Sequence, residues 1–441
     1  MVRRSGRNLP LILGVLLLCA MAAVGACQRE DRTGKKTIRF TVWGSPTSNQ
    51  LYREVVEDFE RSNPDIRVEL MMLPWSHYHR KILTMCAARS RLDVMRLANS
   101  YFPLFVEKGA LLALDEYIRR DRTEIDLGDF FPAALMGCED EGHIYGLPVD
   151  IVGWAVFYNR GIFEKAGLAF PDGTWTWEAF LEVARKLTRD FDGDGSIDQY
   201  GAYVKVKLGV IELLAGQSGA MIMNEDNSRC LFDSPEGRAV VQLLYDMRVK
   251  YGVVPPPDVR SSQNPFAAQK VAMALLTRGD VTAFRQTLPF DWDVASVPRW
   301  PDREPRALIV GGFNPWVISR GSRLPEESWR FLKFFTGKKA MEKMARSGRI
   351  VPARKSVAES PAFLDTGPPE NNAVFLDLIR TPDKVFVPRF PRYRRLEKIF
   401  KNNLQFLFEG NLTVGQCTAM ICRDVDRLVQ EVRAEQEEAQ P

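Results

Sequence analysis

The chain has 441 residues, of which 45% are hydrophobic, with 60 Lys plus Arg against 56 Asp plus Glu. That is too long for one core of usual size, so two or three domains are expected. Arg3, Arg4 and Arg7 precede an apolar run, which leaves the rest nearly neutral and removes the electrostatic basis for nucleic-acid binding.

The basic start, the apolar run from Leu11 to Val24, and Gly25-Ala26 before Cys27 read as a secretory signal peptide over residues 1–26. Val24-Gly25-Ala26-Cys27 also resembles a bacterial lipobox, in which the cysteine becomes the lipid-bearing N-terminus. Residues 27–36 would then tether the body to the membrane; an uncleaved span is the other reading. Without Cys19 and Cys27, five cysteines remain: Cys86, Cys138, Cys230, Cys417 and Cys422. Their odd number and lack of a CxxC spacing predict no zinc site and no disulfide framework, but mostly buried thiols.

Lys36 to Trp43 alternates, Gln50 to Arg61 has helical spacing, and Ile66 to Met72 alternates again. Strand, helix and strand of these lengths predict a right-handed βαβ unit with a parallel sheet. A helix from about His79 to Arg89 and a short strand at Asp93–Leu97 follow. In open α/β sheets ligands bind at the carboxyl ends of strands, here occupied by Trp43, Ser45, Trp75, His77, Tyr78, Asn99 and Tyr101. These are aromatic, amide and hydroxyl groups with no nucleophile and base among them. His77 and His79 read as a polar rim.

Glu141 to Asn159 opens with turn formers, bends at Gly146-Leu147-Pro148 and continues almost without charge to Tyr158. This predicts a strand buried on both faces, with Asp150 the only carboxylate near the bend. After Trp175, a helix carries Trp177, Phe180, Leu181, Ala184 and Leu187 on one face. In the next loop Asp190, Asp192, Asp194 and Asp198 fall at calcium-loop positions 1, 3, 5 and 9 with the glycine at 6, although Gly201 stands where a bidentate Glu belongs. The expectation is either a structural calcium or a plain Asx-turn loop. Leu213 to Ala220 reads as a glycine-broken apolar segment, Glu236 to Lys250 and Pro325 to Phe335 as helices, Asp291 to Trp300 as a short strand and turn, and 373–432 as mostly helical.

In this order the features resemble extracellular solute-binding proteins of ABC transporters, in the carbohydrate-binding group related to maltose-binding protein. The residues that carry the resemblance are the lipobox, Phe40-Thr41-Val42-Trp43, Asn63-Pro64-Asp65-Ile66, the stretch Gly109 to Tyr117, Tyr145-Gly146-Leu147-Pro148, Phe157-Tyr158-Asn159, Thr174-Trp175, the Asp192–Gly195 loop with Asp198-Gln199-Tyr200-Gly201, Lys270-Val271-Ala272-Met273, and Trp329 to Phe334 with Val351-Pro352-Ala353-Arg354. Arg278-Gly279-Asp280 and Phe313-Asn314-Pro315-Trp316 depart from the family pattern.

The resemblance implies an α/β, two-lobed periplasmic-binding-protein fold hinged between lobes, lobe I being 37–147 with 310–355 and lobe II 148–309 with 356–441. It implies a non-enzymatic, monomeric, lipid-anchored protein outside the cytoplasmic membrane, which delivers a sugar to a permease. A neutral sugar needs aromatic planes and paired polar edges. Trp43, Trp75, Tyr78, Trp154, Trp175 and Trp316 could supply the planes, and Ser45, Asn99, Asp150, Gln217 and Asn314 the edges. Arg389, Arg392, Arg394 and Arg395 could instead meet an acidic sugar. The rival readings are an extracellular glycan hydrolase or lyase, which would need two placed carboxylates, and a binding protein that reports to a membrane sensor.

Overall fold

The computed structural model describes residues 34–44, 46–256, 264–301, 312–377, 379, 390 and 392–438. The leader, Cys27, Ser45 and Arg389 lie outside them.

The chain folds into two α/β lobes, each built on one sheet. The first sheet has the order β12-β6-β11-β3-β1-β2, from β1 (Lys36–Trp43), β2 (Ile66–Leu73), β3 (Val94–Arg96), β6 (Gly146–Ile151), β11 (Phe313–Ile318) and β12 (Val351–Pro352). β1 pairs in parallel with β2 and β3, as the βαβ pattern requires, while β11 runs antiparallel to β3 and β6. The inward face of β1 (Ile38, Phe40, Val42) is fully buried. Phe40 packs on Trp316, Phe331 and Phe335, the last two from the Pro325–Phe335 helix, which has Pro at its first turn, Glu326 and Glu327 after it and Lys333 in its last turn. A two-strand hairpin, β4 (Glu139–Asp140) and β5 (His143–Ile144), precedes β6. It turns on Glu141 and Gly142, both at positive φ.

The second sheet has the order β10-β7-β9-β8, from β7 (Trp154–Asn159), β8 (Tyr200–Tyr203), β9 (Val271–Thr277) and β10 (Trp292–Ala295). The stretch expected as one buried strand is therefore two, β6 and β7, placed in different sheets. The chain steps between them at Val152-Gly153, beyond Pro148. A Cβ at Gly153 would come 2.9 Å from Val351 Cγ2 and 3.2 Å from Phe375 Cβ, so the crossing is packed too closely for a side chain.

The apolar segment around Leu213 is an unbroken helix, Leu208–Ser218, buried along nearly its whole length. Alanine and leucine between its glycines carry helical propensity, and a helix apolar nearly all round suits a position enclosed by neighbours, where its few polar residues, Glu212 and Gln217 among them, are buried as well. Tyr393–Phe408 and Val414–Glu438 pack on each other, and both contact the Pro235–Tyr245 helix. Cys230 and Cys422, 192 residues apart, form a disulfide. This corrects the expectation of no disulfide framework and mostly buried thiols; Cys86, Cys138 and Cys417 take no part in a disulfide. Among the described residues no helix is long and apolar enough to cross a membrane.

Candidate functional site

The carboxyl ends of β1 and β3 and the helix starting at Trp75 assemble one aromatic group. Trp43 lies edge-on to Trp75, with centroids 4.9 Å apart, and tilted against His79 at 5.2 Å. His79 stacks flat on Tyr101 at 4.0 Å. Its Nε2 accepts the Ala98 amide at 3.0 Å, which leaves the ring neutral in that bond. Burial, reinforced by Arg394 and Arg96, lowers its pKa to about 3. His79 is thus an interior stacking group, not the polar rim expected; of the pair, His77 alone is exposed. The signal that could have found it is its place two residues after His77, one turn into a helix, with Tyr78 and Ile82 also on the buried side. Trp75 keeps 43% of its surface exposed and offers a free face.

Beside this group lies a buried polar centre. Arg96 Nη2 donates to Asp150 Oδ2 at 2.9 Å, Asn314 Nδ2 donates to the same oxygen at 2.9 Å, and Arg96 Nη1 donates to the Tyr52 hydroxyl at 3.0 Å. The Arg96 guanidinium also lies 4.2 Å from the Trp43 ring centroid. Asp150 Oδ1 has no hydrogen bond among the described residues and can accept one from a ligand hydroxyl. Asn99 is half-buried against Gly312, whose φ is +104° and whose absent Cβ would lie 2.8 Å from Asn99 Cβ. The close approach there needs glycine.

Across the step, the second lobe presents Trp154, the first residue of β7. Its indole nitrogen is buried without a partner, and the Lys207 ammonium sits 4.7 Å from its ring centroid. Lys207 has no ion pair among the described residues, and burial lowers its pKa. Glu212, on the Leu208–Ser218 helix, accepts the Tyr393 hydroxyl at 2.9 Å, and burial raises its carboxyl to about 7. Lys207, Glu212 and Tyr393 were not anticipated, because Glu212 meets Tyr393 only across 181 positions of the chain.

Other expected residues belong to the core. Tyr78 is fully buried and its hydroxyl donates to the Thr41 carbonyl at 2.8 Å. Trp316 is enclosed by Phe40, Tyr52 and Phe335. Trp175 donates to the Ser296 carbonyl at 2.8 Å, and Gln217 is occupied by the Trp177 indole and the Pro298 carbonyl. The hydrogen-bonding groups of Tyr78, Trp175 and Gln217 are thus used within the fold. Ser45 lies outside the described residues. The arginine cluster is also committed. Arg392 pairs with Glu107 and Glu435, Arg395 with Glu431 and Glu435, and Arg394 with Glu397 and the Tyr101 hydroxyl. These carboxylates take the place of the acidic sugar considered from the sequence.

In the aspartate loop, one carboxylate oxygen from each of Asp190, Asp192 and Asp194 lies within 4.8 Å of the others, a spacing a cation could use. Asp198 instead accepts the Phe191 amide at 2.8 Å, and Asp190 accepts the amides of Gly193 and Gly195. A Cβ at Gly201 would fall 1.9 Å from the Ala184 carbonyl oxygen, which shuts out a glutamate at that position. The loop thus fits a cation through three carboxylates and lacks the bidentate closure of a tight calcium loop.

Residues 43–342 match the family described as bacterial extracellular solute-binding protein. The chain belongs to that family. A binding protein of Brucella abortus is 24% identical over 418 residues, covering 93% of this chain and 95% of its own. Among solved structures, an ABC substrate-binding protein of Listeria monocytogenes in complex with cycloalternan superimposes with a TM-score of 0.79 at 23% identity, covering 91% of this chain and 99% of that one. The maltose/maltodextrin-binding domain of Bdellovibrio bacteriovorus bound to maltotriose gives 0.74 at 17% identity, with 89% and 100% covered. The chain is therefore a solute-binding protein and not an enzyme.

Proposed function

We propose that this protein is a monomeric, lipid-anchored lipoprotein, attached through Cys27, that captures a sugar or oligosaccharide between its lobes and delivers it to an ABC permease. The observation that carries the reading is the pairing of Trp43, Trp75, His79 and Tyr101 with the Arg96–Asp150–Asn314 centre beside the step between sheets. Aromatic faces cover the C–H side of a pyranose, and Asp150 Oδ1 meets a hydroxyl edge. The oligosaccharides bound by the Listeria and Bdellovibrio proteins support that class of ligand. Among the expected residues, Trp43, Trp75, Asn99, Asp150, Trp154 and Asn314 keep this role.

Residues 28–441 contain every described element and are titrated with neutral and acidic oligosaccharides while tryptophan fluorescence and melting temperature are followed. A saturable signal with a raised melting point and chemically unaltered sugar is expected. Silence across the panel from a protein with a cooperative melt would overturn the sugar reading. Intact mass of the mature protein tests the anchor: retention of residues 1–26 removes it. For the aspartate loop we propose a structural calcium on Asp190, Asp192 and Asp194. Chelation is expected to lower the melting temperature, and an unchanged melt discards the ion.

A further inference from the structure

A cavity of about 1030 Å³ opens at the end of the first lobe away from the candidate site. Its walls are the last turns of the Trp75–Ala87 helix, the 108–110 turn and the 319–323 turn that follows β11. Four cations line it, Arg89, Lys108, Arg320 and Arg323, and no carboxylate does. Lys108 is held by Glu107 at 3.0 Å, but Arg89, Arg320 and Arg323 are exposed and have no ion pair among the described residues. Three unpaired guanidinium groups around one opening repel one another, which is tolerated in water and relieved by an anion.

The position of the cavity says which anion. The Ser319 amide donates to the Asp93 carbonyl at 2.8 Å, and the Asp93 amide to the Arg39 carbonyl at 3.3 Å. Arg91, two residues after Arg89, bonds the Thr37 carbonyl. The basic walls therefore lie beside the beginning of β1, where the chain enters the fold next to the exposed Lys35. Eight residues lie between Cys27 and Lys36, so nine backbone steps join them. At about 3.5 Å per residue they reach no further than roughly 30 Å, so a lipid on Cys27 keeps this end of the lobe near the bilayer.

We propose that this basic cavity is a docking surface for anionic phospholipid headgroups, which seats the anchored lobe on the membrane. The location rests on the proposed Cys27 anchor, but the charge recognition does not. An unlipidated body therefore tests the surface apart from the anchor. Residues 28–441 are mixed with vesicles of phosphatidylcholine alone or with phosphatidylglycerol at about one third, and the bound fraction is read by flotation at low and high salt. Binding to the anionic vesicles alone, lost at high salt, is expected. Each arginine removed should lower the partition coefficient about fivefold, so Arg320→Ser/Arg323→Ser should reduce it at least about tenfold. Lys338→Ser/Lys339→Ser, exposed on a helix of the same lobe, should leave it within about twofold. No binding by the wild type, equal binding to neutral vesicles, or equal losses in the two double variants overturns the proposal, whatever the mass of the mature N-terminus. Both variants are first checked for an unchanged melting temperature; if the arginine pair fails it, Arg89→Ser with Arg323→Ser replaces it.

Discussion

Glu212 lies inside the second lobe with one carboxylate oxygen on the Tyr393 hydroxyl and the other without a partner. Burial raises its pKa from the ordinary 4.5 to about 7. A carboxyl raised in the folded state binds its proton more tightly there than when unfolded. The stability it contributes is complete below about pH 4.5 and is lost as pH rises through about 7. A shift of this size corresponds to about 3 kcal/mol at most. Glu212→Gln should remove that dependence, so urea midpoints of variant and wild type should diverge between pH 5 and 8, with the variant relatively more stable at the higher pH. Parallel pH profiles would refute the assignment. The Asp150 carboxylate is the contrasting case: Arg96 and Asn314 hold it by direct bonds, so truncating it leaves a buried guanidinium with one neutral partner. Asp150→Ala is expected to cost about 3–5 kcal/mol, read as a fall in the urea midpoint far beyond that of Asn314→Ala. Equal, small effects of the two would show that Arg96 does not depend on Asp150. Asp150 could be picked out in the sequence as the lone carboxylate at a bend. Its partner could not, because Arg96 precedes it by 54 positions and sits in a strand of three residues.

At the level of elements, the Cys230–Cys422 bridge ties the segment before the Pro235–Tyr245 helix to the C-terminal Val414–Glu438 helix. The cross-link closes 192 residues, and its loss is expected to cost about 2–5 kcal/mol. Reduction should lower the melting temperature of the wild type while leaving Cys230→Ser/Cys422→Ser, already lowered, unchanged. A melt insensitive to reductant would show that the bridge does not form. Strands and helices with clean periodicity were legible: β1 covers the alternating Lys36 to Trp43, and the Pro325–Phe335 helix starts at its proline. The β6–β7 stretch was not, since two buried strands separated by two residues have the same apolar run as one. Gly153 becomes meaningful only when Val351 and Phe375, some 200 positions later, are packed against it. The disulfide was hidden for the same reason: an odd count of cysteines constrains no pairing between distant elements. That the Trp175 indole and the Gln217 amide are bonded within the fold could not be read either, since their partners, the carbonyls of Ser296 and Pro298, lie 121 and 81 positions later.

For the whole molecule, the lobes touch beyond the crossings. Arg392, beside a helix packed on the second lobe, donates to Glu107 of the first at 3.1 and 3.4 Å, and Arg394 donates to the Tyr101 hydroxyl at 3.1 Å. The second contact is made to the aromatic group itself through Tyr101, and the first lies at the far end of the helix that follows it, Phe102–Glu107, so that helix links lobe separation to the state of the site. A half-buried pair of this kind contributes about 1 kcal/mol, which changes the ratio of closed to open forms about fivefold. Arg392 retains Glu435 when Glu107 is removed, so Glu107→Ala tests the bridge without stranding the arginine. The variant should populate the more separated form, giving a larger radius of gyration without ligand. Once a ligand is known, its affinity should fall by up to about fivefold, because more of the binding energy is spent on closure. Saturating ligand should return the variant to the wild-type radius if its contacts span both lobes. An unchanged unliganded radius with reduced affinity would instead place Glu107 at the ligand, and an unchanged radius with unchanged affinity would show that the bridge does not bias closure.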